Sequence, residues 1–160
     1  LTPAIIRYAD QPDSPWANGG GSIRLMWQCP AGERRISIAS LQRPAAFSAL
    51  PAMARLLMVL DPIRITLRIS GQDVQLAQHE TLAFSGAEPA ELLDLSQPGR
   101  VLNLMALAGG WRPQLSTGRD PLGWVALGEV EHAGTLLHSG DLAWGAAPVG
   151  HAIAIHFRPA

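Results

Sequence analysis

Arg35, Ser37 and Ala39 fall on alternate positions of the run Arg35-Ile36-Ser37-Ile38-Ala39. On an extended strand these three share one face, and Ile36 and Ile38 share the other. A guanidinium, a hydroxyl and a small side chain on one face suit the wall of a polar pocket, and a guanidinium grips a carboxylate through two parallel hydrogen bonds. Asn103 and Met105 share a face in the same way on the run from Val101 to Leu107, where Asn103 is a polar interruption. A buried amide needs hydrogen-bond partners, and a ligand can supply them. Arg55, at the head of Leu56-Leu57-Met58-Val59-Leu60, is a further candidate. Each has a structural alternative: the arginines paired with Asp or Glu, the asparagine satisfying a turn. As a ligand-binding set they point to a small anionic metabolite, a carboxylate.

Other chemistries find less support. The 160 residues include no lysine, twelve arginines and one cysteine. Schiff-base and pyridoxal-phosphate chemistry and a P-loop lysine are therefore excluded. A single cysteine, Cys29, excludes an internal disulfide, a Cys-rich zinc site and a four-cysteine iron–sulfur cluster. There is no His-x-His pair among His79, His132, His138, His151 and His156, and nothing in the spacing selects His138, Glu129 and Glu131 as a ligand set. No Gly-x-Ser-x-Gly elbow is present. The expectation is therefore no catalytic residue, no metal and no cofactor.

The net charge is −1 and the arginines are scattered, with Arg34-Arg35 the one adjacent pair. No nucleic-acid or anionic-membrane surface is expected, since either would need a basic stripe. The five tryptophans are read as core anchors rather than base-stacking platforms. The longest dense apolar run, Leu56 to Leu60, is too short to span a bilayer, and no basic-then-apolar leader pattern stands at the amino end. A cytoplasmic protein is expected, with a homodimer left open.

The elements that must position these residues are strands. Ile63-Arg64-Ile65-Thr66-Leu67-Arg68-Ile69 alternates apolar and polar and closes on Ser70-Gly71. Further strands are expected at Arg35 to Leu41, Leu56 to Leu60, Val74 to Gln78, Leu82 to Phe84, Glu91 to Leu95, Val101 to Leu107, Trp124 to Val130, Leu136 to His138 and Ala152 to Phe157. Sixteen glycines and thirteen prolines punctuate them, as in an all-β barrel or sandwich with little helix. A shift of 60 residues lays Thr66–Leu95 over Ala126–Ile155 with five identities. This suggests a single domain, 1–160, of two related β-modules, roughly 1–110 and 111–160, sharing strands.

The segment Trp16-Ala17-Asn18-Gly19-Gly20-Gly21-Ser22 is the most distinctive. Three glycines in a row mark a loop or a place where backbone must approach closely. With Arg35-Ile36-Ser37-Ile38-Ala39, Phe47-Ser48 followed by Pro51 and Arg55, Phe84-Ser85-Gly86, and Asn103-Leu104-Met105, it forms an ordered set over residues 15 to 105. The chain resembles the HutD/Ves family of cupin-type proteins in these motifs. The resemblance implies a cupin-like double β-barrel of bicupin, jelly-roll type. It also implies a bacterial, non-enzymatic small-molecule binder, regulatory in histidine utilisation or a stress response, with a formylglutamate- or urocanate-like ligand. It adds Asn18, Gly20 and Phe84 to the ligand-binding set. Two departures stand out: Ala87 and Val101 occupy positions where the family usually carries aspartate. A metal-dependent cupin enzyme (dioxygenase or isomerase) and a structural or protein-interaction module remain the alternatives.

Overall fold

The computed structural model describes residues 4–160, and among them the regular elements are strands joined by turns and loops, apart from one 3-10 turn, Tyr8–Asp10. In chain order the first strands are β1 (Ile5–Ile6), β2 (Ser14–Pro15), β3 (Gly21–Gln28), β4 (Arg34–Leu41), β5 (Ala45–Ala46) and β6 (Met53–Val59). Next come β7 (Ile65–Ile69), β8 (Gln72–Leu76), β9 (Thr81–Ser85), β10 (Ala90–Leu95) and β11 (Gly99–Leu107). The last are β12 (Trp111–Ser116), β13 (Gly123–Ala126), β14 (Val130–His132), β15 (Thr135–Leu137), β16 (Leu142–Ala143) and β17 (Ala152–Pro159).

A six-stranded sheet, ordered β2-β3-β4-β11-β6-β9, forms the middle layer. The five-stranded sheet β1-β16-β13-β17-β12 covers one face and the four-stranded sheet β5-β10-β7-β8 covers the other. The middle strands read as near-continuous apolar runs because both of their faces are buried. Ile36, Ile38, Leu56, Met58, Leu102 and Leu104 meet Val125, Leu142 and Ile155 of the five-stranded sheet. Their neighbours Ala39, Leu41, Leu57, Val59 and Val101 point the other way, to Ile65, Leu67 and Leu92. The pairing leaves each sheet open-edged, so the cupin-like jelly roll is two sandwiches sharing a central layer rather than closed barrels. β7 pairs with β10 and β8, β13 pairs with β17, and β14 pairs with β15.

Several strand bounds differ from expectation for local reasons. The expected strand Trp124 to Val130 stops at Ala126, and Val130–His132 belongs to a separate hairpin. β3 escapes the alternation rule because a bulge shifts its register between Leu25 and Trp27. β12 carries Pro113, which a sheet tolerates on an edge strand such as this one.

Asp141 ties the first turn of the chain to the five-stranded sheet. Its buried carboxylate accepts hydrogen bonds from the backbone N–H of Tyr8 (2.9 Å) and of His138 (2.9 Å), and from the Arg7 guanidinium (2.8 Å). Asp141→Ala strands these donors, so it is expected to cost about 3 kcal/mol, read as a lower urea midpoint with an unchanged slope.

Candidate functional site

The register of the middle sheet arranges one pocket wall in rows. Met105 lies between Arg35 on β4 and Arg55 on β6; Asn103 lies between Ser37 and Leu57; Val101 lies between Ala39 and Val59. On the far side of β4, Leu25 sits beside Ser37 and Ile23 beside Ala39. Successive rows are two residues apart along the strand, or about 6.7 Å. They form the floor of a cavity of about 370 Å³, with Ser14, Leu25 and Ser48 at its exposed rim and Trp16, Phe47 and Leu50 completing the lining.

The wall containing Trp16 and Phe47 is held by the glycine motif. Their rings meet edge to face, 5.8 Å apart. Asn18 accepts from the Gly20 N–H through Oδ1 (2.9 Å) and donates through Nδ2 to the Ala46 carbonyl (3.0 Å). The Trp16 N–H donates to the Gly21 carbonyl (2.8 Å). The three glycines serve different ends. Gly19 has a positive φ of 72°, a Cβ on Gly20 would collide with Ala45, and a Cβ on Gly21 would collide with the Ser40 carbonyl oxygen. Asn18 and Gly20 thus lie outside the lining and hold its wall. Phe84, on β9 beside Arg55, also lies outside the lining, behind the guanidinium.

Arg55 is 7% exposed, with its guanidinium 4.9 Å from the Phe84 ring and 5.7 Å from the Phe47 ring. It donates one long bond to the Ser48 carbonyl (3.4 Å), and its Nε has no partner. Arg35 donates to the Met105 sulfur (3.2 Å). Neither arginine has a carboxylate partner among the described residues, whereas Arg7, Arg68 and Arg100 each bind an aspartate at 2.7–2.8 Å. Burial, and then the charge of Arg35, push the Arg55 pKa down to about 10, so it remains cationic at neutral pH. Ser37 Oγ and Asn103 Oδ1 are likewise buried without partners. An unmade hydrogen bond at a buried group costs about 1–3 kcal/mol, and three such groups gather on this floor beside an uncompensated cation.

The lining contains no Asp, Glu, His or Cys. It offers donors and positive charge, suited to holding an anion, but no group to act as general base. Of the two departures from the family pattern, Val101 is on the floor and Ala87 is in an exposed turn outside it. Trp16, Phe47 and Leu50 were absent from the expected ligand set. Their signal was the start of the Trp16 to Ser22 motif and the Phe47-Ser48 pair.

The other polar clusters are dispersed. His138 and Glu129 are 3.9 Å apart in the open, and His79 meets His151 edge to face at 5.1 Å. No three His, Cys, Asp or Glu side chains converge among the described residues. Cys29 is buried, and the Arg34 N–H donates to its sulfur (3.3 Å). No helix among them is long and apolar enough to cross a membrane.

Sandwiches sharing a central sheet, with an open-rimmed pocket on one face of it, define a cupin-like protein. A similar fold occurs in an RmlC-like cupin from Shewanella frigidimarina NCIMB 400, with a TM-score of 0.51 and 8% identity over 63% of this chain and 87% of that one. The chain belongs to the HutD family, whose model matches residues 8–152. The whole fold is matched by the structure of HutD from Pseudomonas fluorescens SBW25, with a TM-score of 0.81 and 22% identity over 98% of both chains. An uncharacterised 21.2 kDa protein in the hutC 3′ region of Pseudomonas putida is 29% identical over 118 residues, 69% of this chain and 62% of that protein. The match therefore spans less than two thirds of that relative's length.

Proposed function

We propose that this chain binds a small carboxylate in the pocket between the middle sheet and the wall of Trp16 and Phe47 to Leu50, without turning it over. One observation carries the reading: two arginines on one row of the sheet, either side of Met105 and one of them almost fully buried, face a cavity with no acidic side chain to balance them. A carboxylate would supply the missing charge and accept from the Arg55 Nε–H, while its polar substituents reach Ser37 and Asn103. The absence of any base or nucleophile–base pair from the lining favours binding over catalysis. The resemblance to the HutD/Ves family implies an acid of the formylglutamate or urocanate kind as ligand, and a regulatory part in histidine utilisation fits the hutC 3′ location of the Pseudomonas putida relative.

A thermal-shift screen of small carboxylates tests this, because a ligand that binds the native state raises Tm by mass action. A rise at millimolar ligand, lost in Arg35→Ala and Asn103→Ala, is expected. No shift with any acid overturns the reading.

The pH dependence is equally specific. Folding lowers the Arg55 pKa, so its charged form is the penalised one. The folded state carries this penalty below about pH 10 and sheds it only above. Carboxylate ligands ionise above roughly pH 4–5. Affinity measured by calorimetry is therefore expected to be flat from about pH 6 to 9, falling below the ligand's own pKa and above that of Arg55. A break near pH 6.5 would instead place a histidine in the site.

A further inference from the structure

Resting on that reading of the pocket, we infer that the site selects monocarboxylates with a long apolar end and rejects dicarboxylates long enough to carry a second carboxylate to the far end of the floor, which a short acid of the formylglutamate kind does not reach. The rows change chemistry in one direction. Arg35, Met105 and Arg55 form a cationic row, Ser37 and Asn103 a hydrogen-bonding row, and Ala39 and Val101 an apolar row. The apolar row continues into Ile23 and Leu41, and the one polar side chain beside it is Ser14, paired with Ile23 at the exposed rim.

An acid whose carboxylate sits at the arginines therefore meets a hydroxyl and an amide about 6.7 Å further in, and hydrocarbon about 13 Å in. A polar group near the carboxylate finds partners in the second row. A charged group at the third row finds no cationic partner, and it would lose water against Val101, Ala39 and Leu41, all at most 3% exposed. The burial of these three makes the apolar end a built feature of the floor. The side-chain positive charge of the lining lies entirely in the first row, so a second carboxylate carried to the third meets no positive side chain.

The experiment is calorimetric titration of the intact chain with the straight alkanoates from hexanoate, whose chain ends at the second row, to decanoate, whose chain reaches the third, and with sebacate, the ω-carboxylated counterpart of decanoate. Affinity is expected to rise about 3- to 4-fold per methylene along the series, the equivalent of about 0.8 kcal/mol for each buried CH₂. Sebacate is expected to bind at least tenfold more weakly than decanoate. Val101→Thr, nearly the same shape with a hydroxyl added, is expected to weaken decanoate about tenfold and leave hexanoate unchanged. Sebacate binding as tightly as decanoate overturns the inference while leaving the carboxylate reading standing. An equal loss for hexanoate and decanoate in Val101→Thr overturns the placement of the apolar end. No binding by any of these acids overturns the inference and the carboxylate reading together.

Discussion

Arg55→Met is expected to raise the stability of the unliganded protein and, in the same molecule, abolish carboxylate binding. Methionine fills much of the space between Phe47 and Phe84, which approach the guanidinium to 5.7 Å and 4.9 Å. It also removes a buried cation with no counter-charge and an Nε–H with no acceptor. Replacing buried charge by well-packed apolar groups is commonly neutral or stabilising by 1–4 kcal/mol. Against this stands the lost cation–π attraction, about 0.5–2 kcal/mol. The net gain is about 1–2 kcal/mol, or roughly 2–8 °C in Tm for a chain of this size. Losing the buried half of a charge-assisted contact costs about 2–5 kcal/mol of binding, or at least a 30-fold loss of affinity. Opposite signs in stability and binding separate a binding arginine from a structural one. A structural arginine loses stability when replaced, whatever happens to the ligand.

The second large effect is expected from Gly21→Ala. Gly21 pairs with Leu41 across β3 and β4, and an added Cβ would run into the Ser40 carbonyl oxygen. Backbone cannot give way as a flexible side chain can, so the strands must separate where both are needed. Overpacking of this kind costs about 3 kcal/mol, and the strain falls on the turn that carries Trp16. Gly71 provides the control: it has a positive φ of 81°, but nothing lies within 4 Å of its Cβ position. Gly71→Ala is expected to cost about 1 kcal/mol through backbone strain alone. Denaturation midpoints of the two variants check the contrast. Equal losses would show that close approach at Gly21 does not matter.

The residues of the pocket floor were legible for a physical reason. Arg35, Ser37, Asn103 and Met105 lie on long strands with strict alternation, so period two alone fixes which residues share a face. What alternation does not contain is register between strands distant in sequence. That β11 runs between β4 and β6, setting Met105 between two arginines, is a non-local fact of the folded chain. The opposite wall was harder to read for another reason. Trp16, Phe47 and Leu50 come from short strands and turns, positioned by Asn18 and by contacts through Gly86, whose carbonyl accepts from the Leu50 N–H (2.9 Å). Such segments have no period to read. The triple glycine was legible only as a demand for close approach; the neighbours met by each glycine needed coordinates. β3 was missed because its bulge breaks the alternation that marked its partner β4. The lysine-free composition takes on a sharper meaning in this setting. With no histidine in the lining, its side-chain positive charge comes from Arg35 and Arg55 alone, and one of the two is nearly fully buried.

In the proposed site, an anion accepts from Arg55 Nε–H beside the buried, unpartnered Ser37 and Asn103. The most direct measurement follows the arginine Nε–H resonances by ¹⁵N-resolved NMR during titration with a small carboxylate. The expected result is a saturable shift confined to Arg55 and Arg35, accompanied by the Asn103 amide, with the signals of Arg64 and Arg112 unmoved. Non-saturating shifts spread over all exposed arginines, with Arg55 unchanged, would contradict it.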